Sequence, residues 1–195
     1  MRVVAFDLMD TVVRDPFREA LRAATGLPLE ELFARRPPNV YPAFERDELD
    51  EAAYWAMYDD LGVEVDPSEF HRVRLEGTRF LDGMAELLDD LDGRVVRATA
   101  SNYPRWIDDL ADTLLAGRFD EIVASCHLGA RKPETAFYER LLERLACGPD
   151  EVLFVDDREV NVEGAREAGI AAHQFEDAAG VRAFLDDHGV AVASG

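Results

Sequence analysis

The residues able to do chemistry sit at the ends of apolar runs. Asp7 closes the run VVAF, with a second acid, Asp10, three residues on and Met9 between them. Ser101 and Asn102 close VVRATA, Lys132 stands before Pro133 in GARKPE, and the pair Asp156 and Asp157 closes VLFV. A carboxylate can attack phosphorus when a divalent cation and a lysine neutralise the surrounding like charge. Mg²⁺ is a hard cation that takes one or two carboxylates plus a substrate oxygen. Asp7 as nucleophile and ligand, with Asp157 as ligand and Asp156 in support, suits that arrangement. Ser101, with the amides near Asn102, would hydrogen-bond the transferring group, and Lys132 would keep Asp7 ionised and offset developing charge. The chemistry these types point to is phosphoryl transfer.

Such residues converge only if the runs that carry them lie side by side. Five runs have the continuous apolar character of buried parallel strands: RVVAFD (2–7), GRVVRATAS (93–101), DEIVAS (120–125), EVLFVD (151–156) and AAHQF (171–175). Amphipathic stretches separate the later ones, at 104–117, 133–146 and 162–169. Alternation of this kind predicts an α/β, Rossmann-like, doubly wound parallel sheet, in which ligands bind beyond the carboxyl ends of the strands. Between 16 and 80 the pattern changes to helices alone, read at 17–26, 29–36, 47–62 and 67–80. That segment is expected to be a small helical cap inserted after the first strand, over a core made of 1–15 and 81–195. The tail after Asp187 reads as a short final strand or a frayed end.

Composition narrows the partners. In 195 residues there is room for one domain with a modest insertion, and a hydrophobic fraction of 48% argues for a packed core. Acids outnumber bases 41 to 21, for a net charge of −20, which disfavours nucleic acid and anionic membrane alike. No apolar run approaches the length of a membrane span, so a cytoplasmic protein acting on a small phosphorylated metabolite is expected. Of the 21 bases, 20 are arginine and one is lysine, so Lys132 marks a place where a compact, flexible ammonium is needed. Cys126 and Cys147 lack metal-ligand spacing and read as apolar fillers, and the four histidines share no ligand spacing either.

Taken in order, FDLMDTVV, ATASNYP, GARKPE and VLFVDDREVNVEGAREAG resemble the four motifs of haloacid dehalogenase superfamily hydrolases. The resemblance covers essentially the whole chain. Its cap sequence and its last two motifs are most similar to the small-capped branch of glucose-1-phosphate-type phosphatases. What the resemblance implies is an aspartyl-phosphate formed on Asp7 and Mg²⁺ held by Asp7, Asp157 and Asp156 together with the backbone carbonyl of Met9. It also implies that Asn161 stands where the family often has a further metal-shell group. A helix N-cap is the equally open reading of Asn161.

The departure lies at residue 9. Family phosphatases usually carry a second Asp there, which protonates the leaving group and then activates water, and a thioether does neither. Three readings follow: a phosphatase for substrates with good leaving groups, such as sugar 1-phosphates; a 2-haloacid dehalogenase; or a catalytically weak or silent protein that binds a phosphorylated metabolite. Asp156 and Asp157 close to Asp7 speak against the dehalogenase, because without a cation they would raise the nucleophile's pKa. The expectation carried forward is a Mg²⁺-dependent phosphomonoesterase. Asp10 is read as a turn cap rather than a replacement acid. Arg14 is a candidate for a substrate anion, and Tyr41, Phe44, Tyr54, Trp55 and Tyr58 form a packing stripe from which some rings could line the pocket.

Overall fold

A computed structural model describes residues 2–192. Four parallel strands make the sheet: β1 (Val3–Phe6), β2 (Val96–Thr99), β3 (Val152–Asp156) and β4 (Ala171–Gln174), in the order β2-β1-β3-β4. Val3 pairs with both Val96 and Val152, and Phe6 with both Thr99 and Val155, so three strands end level. From β1 the chain goes first to one neighbour and later to the other. That reversal opens a crevice at the strand ends, where loops diverge.

Both faces of the sheet are apolar. Val3 and Ala5 of β1, with Val152 and Phe154 of β3, face the cluster that holds Phe137, Tyr138 and Leu141 of α9 (Thr135–Leu145) and Val162 and Ala165 of α10 (Glu159–Glu167). Val4 and Phe6, with Leu153 and Val155, face the other side. There they meet α6 (Met84–Asp90), α7 (Ile107–Ala111) and α11 (Ala178–Asp187). The period-2 alternation of a strand therefore serves two helical layers at once. A short helix, α8 (Ser125–Leu128), follows the segment next to β2.

Five helices fill the stretch between β1 and α6: α1 (Phe17–Thr25), α2 (Leu29–Arg35), α3 (Val40–Glu45), α4 (Glu51–Asp60) and α5 (Pro67–Gly77). The chain enters through residues 12–14 and leaves through 79–81, which run antiparallel: Arg14 N–H donates to the Arg79 carbonyl and Leu81 N–H to that of Val12, each at 2.9 Å. Asp50 and Asp66 cap α4 and α5 by accepting from Ala53 and Glu69 N–H groups. Gly77 lets α5 end against the start of α1, since a Cβ there would fall 2.6 Å from Pro16 Cβ. The stripe of aromatic residues packs inward: Phe44, Tyr54, Trp55 and Tyr58 are buried among Phe70 and Trp106, in the same apolar cluster as the sheet's lower face.

Several expectations are revised. The run DEIVAS lies beside β2 without becoming a continuous ladder strand: isolated bridges at Ala98–Glu121 and, just past β2, at Ser101–Ala124 join them, with main-chain bonds such as Thr99 N–H to the Glu121 carbonyl (3.0 Å). Thr99 Oγ1 intercepts the pairing, donating to the Val123 carbonyl (2.8 Å) and accepting the Val123 N–H (2.7 Å). The helix expected over 104–117 shrinks to five residues, and Thr113 Oγ1 takes the Asp109 carbonyl that a longer helix would use. Helices α3 and α6 were not anticipated. Cys126 is buried but Cys147 only partly. Residues 188–192 form no strand, and the final three lie outside the described residues. Among the described residues no helix is long and apolar enough to cross a membrane.

Candidate active site

The strand ends deliver the sequence-marked residues to one cleft. Lys132 reaches it from the turn before α9 and is buried to 1% exposure. Its ammonium lies between two carboxylates, 2.8 Å from Asp7 Oδ1 and 2.5 Å from Asp156 Oδ2. Asn102 fixes that lysine's backbone from both directions: its Nδ2 donates to the Lys132 carbonyl (3.0 Å) and its Oδ1 accepts the Lys132 N–H (2.8 Å). The side chain of Asn102 is thus spent on placing Lys132.

Asp156 and Asp157 divide their work. Asp156 is fully buried, and both of its oxygens are taken, by Lys132, by Asn161 Nδ2 (2.9 and 3.1 Å) and by the Arg158 N–H (2.9 Å). Asp157 is half-buried and lines the cleft. Its N–H donates to Thr11 Oγ1 (3.0 Å), and that hydroxyl also approaches Asp7 Oδ2 (3.5 Å), so a fully buried threonine ties the first strand-end loop to the third. Asn161 is no N-cap: it lies inside the first turn of α10, whose cap position is Arg158.

Electrostatics is dominated by burial. It pushes the Asp7 carboxyl up to about 6, against the pull of Lys132 and with added push from Asp156 and Asp157. Burial and then Asp156 raise Asp157 as well. For Lys132, burial works against the charge but the two carboxylates outweigh it, and the ammonium is held above its ordinary range. Three carboxylates whose oxygens lie within 4.8 Å of one another thus share one cation, and two of them want more positive charge. The donor set fits a hard divalent ion. Two buried oxygens, Ser101 Oγ and Asn161 Oδ1, have no hydrogen-bond partner and border the same cleft. Buried polar atoms are rarely left so, and these two could meet a ligand on one side and an ion or its water on the other.

The cleft has a volume of about 190 Å³. Met9 lines it while its side chain packs against the main apolar cluster, so its polar contribution is its backbone. Asp10, with a left-handed φ of 59°, accepts the Asp15 N–H through Oδ1 (3.0 Å), as a turn cap does. None of the five rings of the aromatic stripe lines the cleft. Arg14 does not reach it either; it pairs with Glu19 and the Gly77 carbonyl. The walls also include residues that sequence reasoning missed, Asp15, Glu45, Arg131 and Arg158, and the missed Thr11 lies buried behind them. Thr11 falls inside a quoted motif and was legible in principle. Glu45 lies on the unanticipated α3, and nothing in its spacing marks it.

A family model described as haloacid dehalogenase-like hydrolase matches residues 1–169. The chain belongs to that family. This haloacid dehalogenase-like hydrolase is 34% identical over 193 residues to flavin mononucleotide hydrolase 1 of Arabidopsis thaliana, covering 98% of this chain and 79% of the relative. The relative's name carries a chloroplast address and lends no support to the cytoplasmic expectation. A haloacid dehalogenase family enzyme of Bacteroides thetaiotaomicron, solved with magnesium and inorganic phosphate, superposes with a TM-score of 0.75 at 16% identity, over 93% of this chain and 98% of the other. An L-2-haloacid dehalogenase of Xanthobacter autotrophicus does so at 0.63 and 20% identity, over 89% and 77%. At such identities these two likenesses speak for the fold.

Proposed function

We propose that this hydrolase is a Mg²⁺-dependent phosphomonoesterase acting on a small, sugar-type phosphate through an aspartyl-phosphate on Asp7. The observation that carries the reading is the single buried ammonium of Lys132 shared by Asp7 and Asp156, with Asp157 facing the cleft beside them. Mg²⁺ held by Asp7, Asp157 and the Met9 carbonyl, with Asn161 Oδ1 near, would neutralise the carboxylates and polarise the phosphoryl group. Asp7 attacks phosphorus and the alcohol departs. The Ser101 hydroxyl and the Lys132 ammonium hydrogen-bond the transferring oxygens, and water then releases phosphate from Asp7. Asp156 acts by holding Lys132, and Asn102 does the same through the backbone. Residues 16–80 serve as the cap over a core of 1–15 and 81–195, excluding bulk water.

With Met9 in place of an acid, the alcohol leaves without a proton from that position, which favours substrates with good leaving groups. A dehalogenase fits less well, since three neighbouring carboxylates with one cation hold the nucleophile's pKa up. Met9 packed into the apolar cluster favours a second reading, a silent binder of the same phosphate ester. The curated relative makes flavin mononucleotide a necessary member of any substrate panel. The test is phosphate release from sugar monophosphates and flavin mononucleotide, with and without Mg²⁺, beside Asp7→Asn. Metal-dependent release that the variant loses by about 10³-fold or more is the expected result. Tight ester binding with no release would favour the silent binder.

A further inference from the structure

The cleft offers more than a phosphate site, and the remainder is unusually polar. Among the described residues, the helices between β1 and α6 contribute one residue to its wall, Glu45 at the end of α3. Glu45 is 4% exposed. Its Oε2 accepts from Arg131 Nε at 2.7 Å, and Arg131 is the immediate neighbour of Lys132. No hydrogen bond within the described residues uses Glu45 Oε1 or the terminal nitrogens of Arg131, so one acceptor and a pair of donors stay available beside the phosphate position.

This corner is fixed to the core on several sides. Ser125 Oγ donates to the Glu45 carbonyl (2.7 Å). Arg46 reaches Glu134 (3.3 Å), and Arg105 grips Asp47 (2.8 Å), which holds a left-handed φ of 63°. A pre-positioned carboxylate and guanidinium side by side match the alternating donor and acceptor character of neighbouring hydroxyls. The rest of the wall agrees: it holds Asp10, Asp15 and Arg158, and no aromatic ring. At about 190 Å³ the cleft is also below the ~300 Å³ at which pockets for larger ligands begin. A broad apolar leaving group finds no matching surface on these walls.

We propose that Glu45 and Arg131 form a specificity-determining pair that reads hydroxyl groups on the leaving alcohol, so that the substrate class is the phosphate monoester of a small polyhydroxylated alcohol. This inference rests on the phosphomonoesterase reading above. The pair adds affinity for the alcohol, while the strand-end residues handle phosphorus. Losing one charged partner leaves the other facing an unmatched hydroxyl, a deficit that recurs in the transition state.

The test compares kcat/KM for glucose 1-phosphate with that for phenyl phosphate, a ring of similar size without hydroxyls, in the wild type, Glu45→Gln and Arg131→Gln. The expected result is a wild-type preference for the sugar ester that each variant reduces by about tenfold or more. A purely structural role would lower both esters together and leave the ratio where it was. An unmoved ratio in both variants, or no wild-type preference for the sugar ester, overturns this inference while the phosphomonoesterase stands. Hydrolysis of neither ester by the wild type overturns this inference, and the phosphomonoesterase falls with it only when flavin mononucleotide is not hydrolysed either.

Discussion

At residue 9 a thioether sits where a carboxyl would serve, and the neighbouring acids do not compensate. Asp10 is bound into its turn, and Asp156 is saturated by Lys132, Asn161 and the Arg158 N–H. Introducing the acid is therefore the informative change. Met9→Asp is expected to raise kcat for an alkyl phosphate by about 10²-fold and for an aryl phosphate by little, because only the poor leaving group needs the proton. Steady-state rates on the two esters check this, and an equal effect on both would mean that a side chain at residue 9 does not reach the leaving oxygen. Asp7, Ser101, Asp156 and Asp157 were legible because they close apolar runs whose ends a parallel sheet must bring to one edge, and Lys132 because it is the chain's one lysine, set just before a helix-opening proline. Glu45 and Arg131 were not, because their meeting depends on how a helix 86 residues away in sequence docks, which no local pattern encodes.

Among the elements, the helical segment is held to the core by a buried arginine as well as by apolar contact. Arg74 on α5 is 1% exposed and bonds Asp109 of α7 (2.5 Å), the Trp106 carbonyl (3.3 Å) and His71 Nδ1 (3.1 Å). Truncating it leaves the Trp106 carbonyl without that donor and opens space beside the ring, while the half-exposed Asp109 is resolvated, so Arg74→Ala is expected to lower stability by about 2 kcal/mol, read from urea unfolding. A loss near that of an exposed pair, about 0.5 kcal/mol, would show that α5 docks without it. The same scale explains what the sequence hid. Four of the five helices between β1 and α6 were readable from periodicity, and two of them, α4 and α5, begin at an acidic N-cap. Helix α3 was obscured by Pro42 within six residues, and α6 by seven residues rich in acids. DEIVAS has a strand's composition, but the Thr99 hydroxyl takes the Val123 N–H that a continuous ladder would give to a main-chain carbonyl.

For the molecule as a whole, a cation bound at the three carboxylates would compete with the proton for the same charge. Asp7 has an ordinary pKa of 3.8, and burial lifts it to about 6 in the folded chain. Between those values the folded state holds more protons than the unfolded one, so the metal-free chain loses stability as pH rises through that window. Above it, an ionised Asp7 is a cost that Mg²⁺, bound as proposed, would offset. The rise in Tm on adding Mg²⁺ is thus expected to be larger near about pH 8 than near about pH 5, where the cation must displace a proton. Thermal unfolding at the two pH values decides it, and equal shifts would count against Asp7 as a ligand. The burial of Lys132 has one more consequence. The chain's sole lysine ε-amine lies at the floor of the cleft, so lysine-directed acylation has a single address. An adduct there would record that the ammonium had let go of Asp7 and Asp156, so the molecule carries a single-site reporter of that release.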